Sequence, residues 1–108
     1  IELENNNSCF YCDLSFHSFA GKTLNGANLS GANLQGADFS NSSLLGVIFI
    51  GAKLVDASFK GADLTDASFI DANLDSADFT DAVIDGVTFE EAYLCNTIFT
   101  YGSEQGDC

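Results

Sequence analysis

The chain has 108 residues and carries 16 acidic side chains against three lysines, a formal net charge of −13. That length bounds it to one domain, and so few cations leave nothing to neutralise phosphate, which excludes direct binding to nucleic acid or to anionic lipid. There is no Pro, Trp or Met, and no run approaches the roughly 20 apolar residues of a membrane span, so no membrane insertion is expected.

In chain order, residues 1–11 precede any regular pattern and are read as an N-terminal cap. Ile1-Glu2-Leu3-Glu4 suits a short helical turn or a strand, and a start at Ile1 is expected for a processed product. Residues 12–101 are periodic. Every fifth residue is large and apolar: Leu14, Phe19, Leu24, Leu29, Leu34, Phe39 and so on without a miss to Leu94 and Phe99. A period of five fits neither an α-helix at 3.6 nor a strand at 2. It fits a chain that turns a corner every five residues and points one large side chain inward on each side. Two residues earlier the slot is small, as at Ala27, Ala32, Ala37, Ala52 and Ala57. The corner slot holds Gly, or Asp and Asn as at Asn41, Asp56 and Asp66, which tolerate turn geometry.

Positions twenty apart match in kind. Leu14, Leu34, Leu54, Leu74 and Leu94 form one column, and Phe19, Phe39, Phe59, Phe79 and Phe99 another. Leu24, Leu44, Leu64 and Ile84 form a third, and Leu29, Phe49, Phe69 and Phe89 a nearly aromatic fourth. A five-residue period alone does not require this segregation, so it argues for four sides per turn. The first turn departs from the pattern, with Cys12, His17 and Lys22 at inward slots. A buried lysine is costly, so that turn is expected to be frayed or tilted, with these side chains in solvent. Residues 102–108 form a C-terminal cap or tail.

The units Ala27-Asn28-Leu29-Ser30-Gly31, Ala32-Asn33-Leu34-Gln35-Gly36, Ala62-Asp63-Leu64-Thr65-Asp66 and Ala72-Asn73-Leu74-Asp75-Ser76 have the form A(D/N)LXX. The chain thereby resembles the pentapeptide-repeat family over most of its length. The resemblance implies an all-β fold, a right-handed quadrilateral β-helix of about four and a half coils with short terminal capping segments. At about 4.8 Å per coil the rod is roughly 20 Å long.

That length bears on Cys9, Cys12, Cys95 and Cys108, which allow three pairings. A disulfide needs Cα atoms within about 7 Å, so pairs between opposite ends are nearly excluded. Cys9–Cys12 and Cys95–Cys108 remain, and both together imply an oxidising compartment. Free thiols, a redox pair and a zinc site are the other readings; the redox pair lacks a βαβ context, and zinc finds only His17 nearby.

No catalytic residues, metal ligands or cofactor site are expected, because the core is filled and no insertion builds a cleft. Asp71 and Glu91 should stack beside Glu90 on one edge, a solvated edge before it is a cation site. The outward slots show one anomaly. Most are polar, but Leu45, Ile48, Ile50, Val55 and Ile70 are apolar. Ile50 and Ile70 should stack, with Ile48 on the same side and Leu45 and Val55 flanking it. This is the candidate protein-binding patch; strand preference of branched side chains is the plainer explanation. No outward column forms the threonine ladder of an ice-binding face.

The reading is a non-enzymatic structural or protein-interaction module, a monomer or weak dimer with an unknown protein partner. The family resemblance with four cysteines implies the thylakoid lumen first and a periplasm second. The alternative the resemblance implies is an acidic DNA mimic that binds DNA gyrase. The charge agrees with it; a rod this short does not.

Overall fold

The computed structural model describes residues 7–99 and the backbone of 104–105. Residues 1–6, the tail with Cys108, and therefore the two proposed caps lie largely outside the described residues. The architecture is a repeat β-helix. Parallel bridges join residues twenty apart, from Ser8↔Asn28 and Asp13↔Asn33 through Ile48↔Ser68 to Asp78↔Ile98. They recur every five residues, so each coil offers four pairing positions to the next.

The bridges are isolated, one residue to each side of the coil. A side only five residues long spends most of them on turning, and a single residue is left for the ladder. The only extended pair among the described residues is β1 (Thr97–Ile98) with β2 (Glu104–Gln105), antiparallel, with Thr97 opposite Gln105. The C-terminal segment thus reaches the last coil as a strand rather than as a helix.

Hydrogen-bond accounting explains why five residues suffice. Leu29 donates its N–H forward to the Ile48 carbonyl (2.7 Å), and the corner residue Gly31 donates to Ile50 (2.9 Å). Ala32 closes the turn by donating to Leu29 (3.1 Å), and Asn33 donates backward to Cys12 (2.8 Å). One N–H in each five, that of Ser30 here, has no main-chain acceptor. The Asn28 carboxamide oxygen takes it at 3.1 Å. This is the physical reason for Asp or Asn before the large residue: it caps the donor that the ladder leaves over.

The third residue of each turn sits at positive φ, at Gly31 (67°) as at Asp56 (62°). Two occupants were not foreseen. Tyr11 (56°) and Phe16 (60°) hold the same conformation, which is unusual for an aromatic residue. Their rings lie across Gly31 and Gly36 of the next coil, where any Cβ would collide with them.

The core is continuous. Phe39, Phe49, Phe59, Phe69 and Phe79 are fully buried, as are Leu29, Leu34, Leu44, Leu54 and Leu64. Within a phenylalanine column the rings stack, Phe39 on Phe59 at 5.1 Å and Phe59 on Phe79 at 4.9 Å. Between columns they meet edge to face, Phe49 on Phe59 at 5.6 Å. Both geometries suit the ring quadrupole. Polar residues in the small slot are satisfied: Ser42 donates to the Phe39 carbonyl (2.6 Å) and Thr97 to that of Leu74 (2.8 Å).

The first coil is regular rather than frayed, and its ladder begins at Ser8, before the boundary expected at Cys12. Cys9 takes the large inward slot and Cys12 the small one, and a disulfide joins them across the corner (Cα–Cα 5.4 Å). His17 and Lys22 do reach solvent; the His17 ring leans on Phe19 at 4.5 Å.

Candidate interaction face

The side bearing Ile48 and Ile50 covers the column Cys9, Leu29, Phe49, Phe69 and Phe89. Ile48 is half-buried in the ladder between Asn28 and Ser68. Ile50 is 39% exposed, and Gly51 donates to the Ile70 carbonyl (2.8 Å), so residues 50 and 70 are neighbours in adjacent coils. Leu45, also 39% exposed, lies on the preceding side and half-buried Val55 on the following one. Between them the corners are Gly46 and Gly51, and a Cβ built on either meets nothing within 4 Å. Ile48 and Ile50 therefore lie on one side with Leu45 and Val55 on the two sides flanking it, and no side chain overhangs the corners at Gly46 and Gly51.

Sequence reasoning missed its extension. Phe10 occupies the outward slot of the same column as Ser30, Ile50 and Ile70, and it is 56% exposed. Tyr11, 81% exposed, stands at the adjoining corner. The Cys9–Cys12 bond spans both. The signal was present in the twenty-residue register, which places residue 10 under residue 50, but the cysteines hid the register of the first coil.

A second property of this face follows from the capping rule. The slot that holds a cap at Asn28, Asp38, Ser58 and Asp63 holds Ile48 and Ser68 here. Among the described residues no acceptor meets the N–H of Ile50 or Ile70, and the Ser68 hydroxyl is buried without a partner. On other sides the acceptor of the equivalent N–H is an outward side chain, as with Asp63 for Thr65 (3.1 Å). These donors therefore face the outer surface.

The opposite side carries Asp38 and Asp78, two carboxylates held down by their neighbours. Hydrogen bonds from the Ser40 side chain and N–H hold Asp38 below the ordinary carboxylate value, against a smaller effect of burial. At Asp78 burial is the largest single influence and raises the value, but the hydroxyl and N–H of Thr80 together with Lys60 outweigh it, and the net direction is down. Lys60 lies 3.6 Å from Asp78. Exposed Asp13 is lowered in the same way by Ser15.

Asp71 and Glu91 occupy the same corner of adjacent coils, with Asp71 donating to the Glu90 carbonyl (3.0 Å). Among the described residues no cluster of His, Cys, Asp and Glu is gathered to hold a metal, and no helix is long and apolar enough to cross a membrane. Cys95 is buried and disulfide-bonded; Cys108 lies outside the described residues.

The family model for pentapeptide repeats matches residues 9–46, 23–61 and 62–100, as eight copies. The chain belongs to the pentapeptide-repeat family. A pentapeptide repeat protein of the cyanobacterium Nostoc is 26% identical over 78% of this chain and 65% of its own, with a TM-score of 0.51. HetL, a pentapeptide repeat protein of Nostoc involved in heterocyst differentiation regulation, is 29% identical with a TM-score of 0.47. The alignment covers 91% of this chain but only 49% of HetL, so the chain spans about half of that protein's length. A pentapeptide repeat protein from the Arabidopsis thaliana thylakoid lumen is 25% identical over 90% of this chain and 68% of its own, with a TM-score of 0.43. No curated protein matches the chain.

Proposed function

We propose that this chain is a non-enzymatic protein-interaction module, a right-handed quadrilateral β-helix whose contact surface is the side bearing Ile48, Ile50 and Ile70 with the flanking Leu45 and Val55. One observation carries the reading. In the middle of the rod this side sets the apolar residues Ile48, Ile50 and Ile70 beside the uncapped N–H groups of Ile50 and Ile70. The Cys9–Cys12 disulfide and the bonded state of Cys95 support an oxidising compartment, the thylakoid lumen or a periplasm.

A photo-crosslinking residue placed at position 50, and at position 58 as control, tests the reading in extract of the source cells. A discrete adduct from position 50 that the control does not give supports it. Identical labelling from both positions removes it. The second reading, an acidic rod that competes with DNA for gyrase, is favoured by the net charge of −13. Inhibition of gyrase supercoiling by the purified protein would establish that reading, and unimpaired supercoiling would eliminate it.

A further inference from the structure

The side just described changes character along the rod. Its outward column reads Phe10, Ser30, Ile50, Ile70, Glu90, and the adjoining corner reads Tyr11, Gly31, Gly51, Asp71, Glu91. The first three coils thus carry no formal charge in either column, with Phe10, Tyr11 and Ile50 apolar and Ser30 and Gly31 between them, and the last two carry the carboxylates of Asp71, Glu90 and Glu91. Two uncapped N–H donors, those of Ile50 and Ile70, lie where the two halves meet. Phe10 and Tyr11 sit at the far end, on a corner closed by the Cys9–Cys12 disulfide, with the Tyr11 ring held across Gly31. That corner is braced before any partner arrives, so little side-chain and loop entropy is lost on contact.

Resting on the interaction-module reading, we propose that this side takes an extended segment of a partner protein that is apolar at one end and basic at the other. It lies along the rod axis. Its apolar side chains cover Phe10, Ile48 and Ile50, and its main-chain carbonyls accept the N–H groups of Ile50 and Ile70. Its Lys or Arg side chains reach Asp71, Glu90 and Glu91. Charge complementarity selects the basic end: the molecule carries 16 acidic residues, and the acidic end of this side has no lysine in either column. An extended rather than helical segment follows from the donors, because helix carbonyls are already engaged within the helix. Five coils at about 4.8 Å offer roughly 20 Å, the span of about six extended residues.

The test uses the oxidised full chain and three short fluorescent peptides, read by anisotropy. One has a Leu-Val half and a Lys-Arg half, one a Leu-Val half and a Glu half, and one a Ser half and a Lys-Arg half. The first should bind tightest. Ile50→Ser and Phe10→Ser should each weaken it by about tenfold while leaving the thermal melt unchanged. Glu90→Gln with Glu91→Gln should weaken it by about threefold and flatten its salt dependence. Equal binding by the Ser peptide with Lys-Arg would overturn the proposal, leaving only an acidic polyelectrolyte. Preference for the peptide with Glu would overturn the basic partner but keep the contact face. If Ile50→Ser changes the binding of neither Leu-Val peptide, the contact face itself fails. A dimer in sedimentation that Ile50→Ser dissociates would assign the side to a second copy of this chain and overturn the proposal.

Discussion

Two opposite sides of this rod rest on the same kind of core and face solvent differently. One covers the column Phe39, Phe59 and Phe79, the other Phe49 and Phe69, and all five rings are fully buried. Over the first, each spare donor is capped by the residue two before it: Ser18 for Ala20 (3.4 Å), Asp38 for Ser40 (2.9 Å), Ser58 for Lys60 (3.5 Å) and Asp78 for Thr80 (2.9 Å). Over the second, capping stops after Asn28, and Ile48 and Ser68 replace it. The inward residues fix the fold, and the coil closes on both sides alike. Outward residues are consequently free to depart from the repeat, as Ile48 and Ser68 do on the second side.

The largest effect should come from the shared core. Phe59→Ala removes a ring stacked on Phe39 and Phe79 and edge-on to Phe49 and Phe69. It should destabilise by about 3–5 kcal/mol in urea unfolding, and both sides should lose their structure together. A loss confined to one side in hydrogen exchange would show that the columns are not one cooperative core.

Next is the capped side. Asp78→Ala leaves the N–H of Thr80 and the Lys60 ammonium without their acceptor. Hydrogen bonds to an ionised group suggest a loss of about 2 kcal/mol, seen as a lower urea midpoint at unchanged slope. The matching change on the other side, Ile48→Asn, copies Asn28 one coil earlier. It should hold stability within about 1 kcal/mol by supplying the missing cap to Ile50. Binding of the apolar-basic peptide should still fall by about tenfold. Retained binding would show that neither Ile48 nor the free donor is used.

Acid should weaken the capped side first. Asp38 and Asp78 are held below the unfolded carboxylate value of about 3.9. A depressed folded value contributes stability that is fully present above the unfolded value and is lost as pH falls through the folded one. The urea midpoint should therefore fall below about pH 4, and less steeply in Asp38→Asn with Asp78→Asn. Parallel profiles would mean that these carboxylates act through geometry alone. Smallest of all, Ser68→Ala removes a buried hydroxyl that has no partner. It should leave stability unchanged or raise it by up to about 1 kcal/mol, measured as a rise in Tm.

Much of this was legible because the repeat is local. The large residue at every fifth position, the corner slots and the columns twenty apart are all sequence facts, and the ladder from Asp13↔Asn33 to Asp78↔Ile98 follows them. Five apolar outward residues were legible as breaks in the pattern. The role of Asp or Asn as a cap was not, because it depends on which N–H the ladder leaves unpaired. Phe10 and Tyr11 were missed because Cys9 and Cys12 stand where Leu and Ala stand elsewhere, and Phe16 because an aromatic residue is unusual at a positive-φ corner.

By itself, then, the sequence determined the coil, its register and its inward columns, since a strict five-residue period admits few other ways to bury so many Leu and Phe side chains. Only the tertiary structure decided how the chain's unmatched groups are disposed. It set the edge-to-face meeting of Phe49 with Phe59 and the rings of Tyr11 and Phe16 over Gly31 and Gly36. It also placed the free N–H groups of Ile50 and Ile70 on the side where Phe10 begins the apolar column. These are contacts between coils or across the rod, and their geometry depends on packing that no single repeat contains.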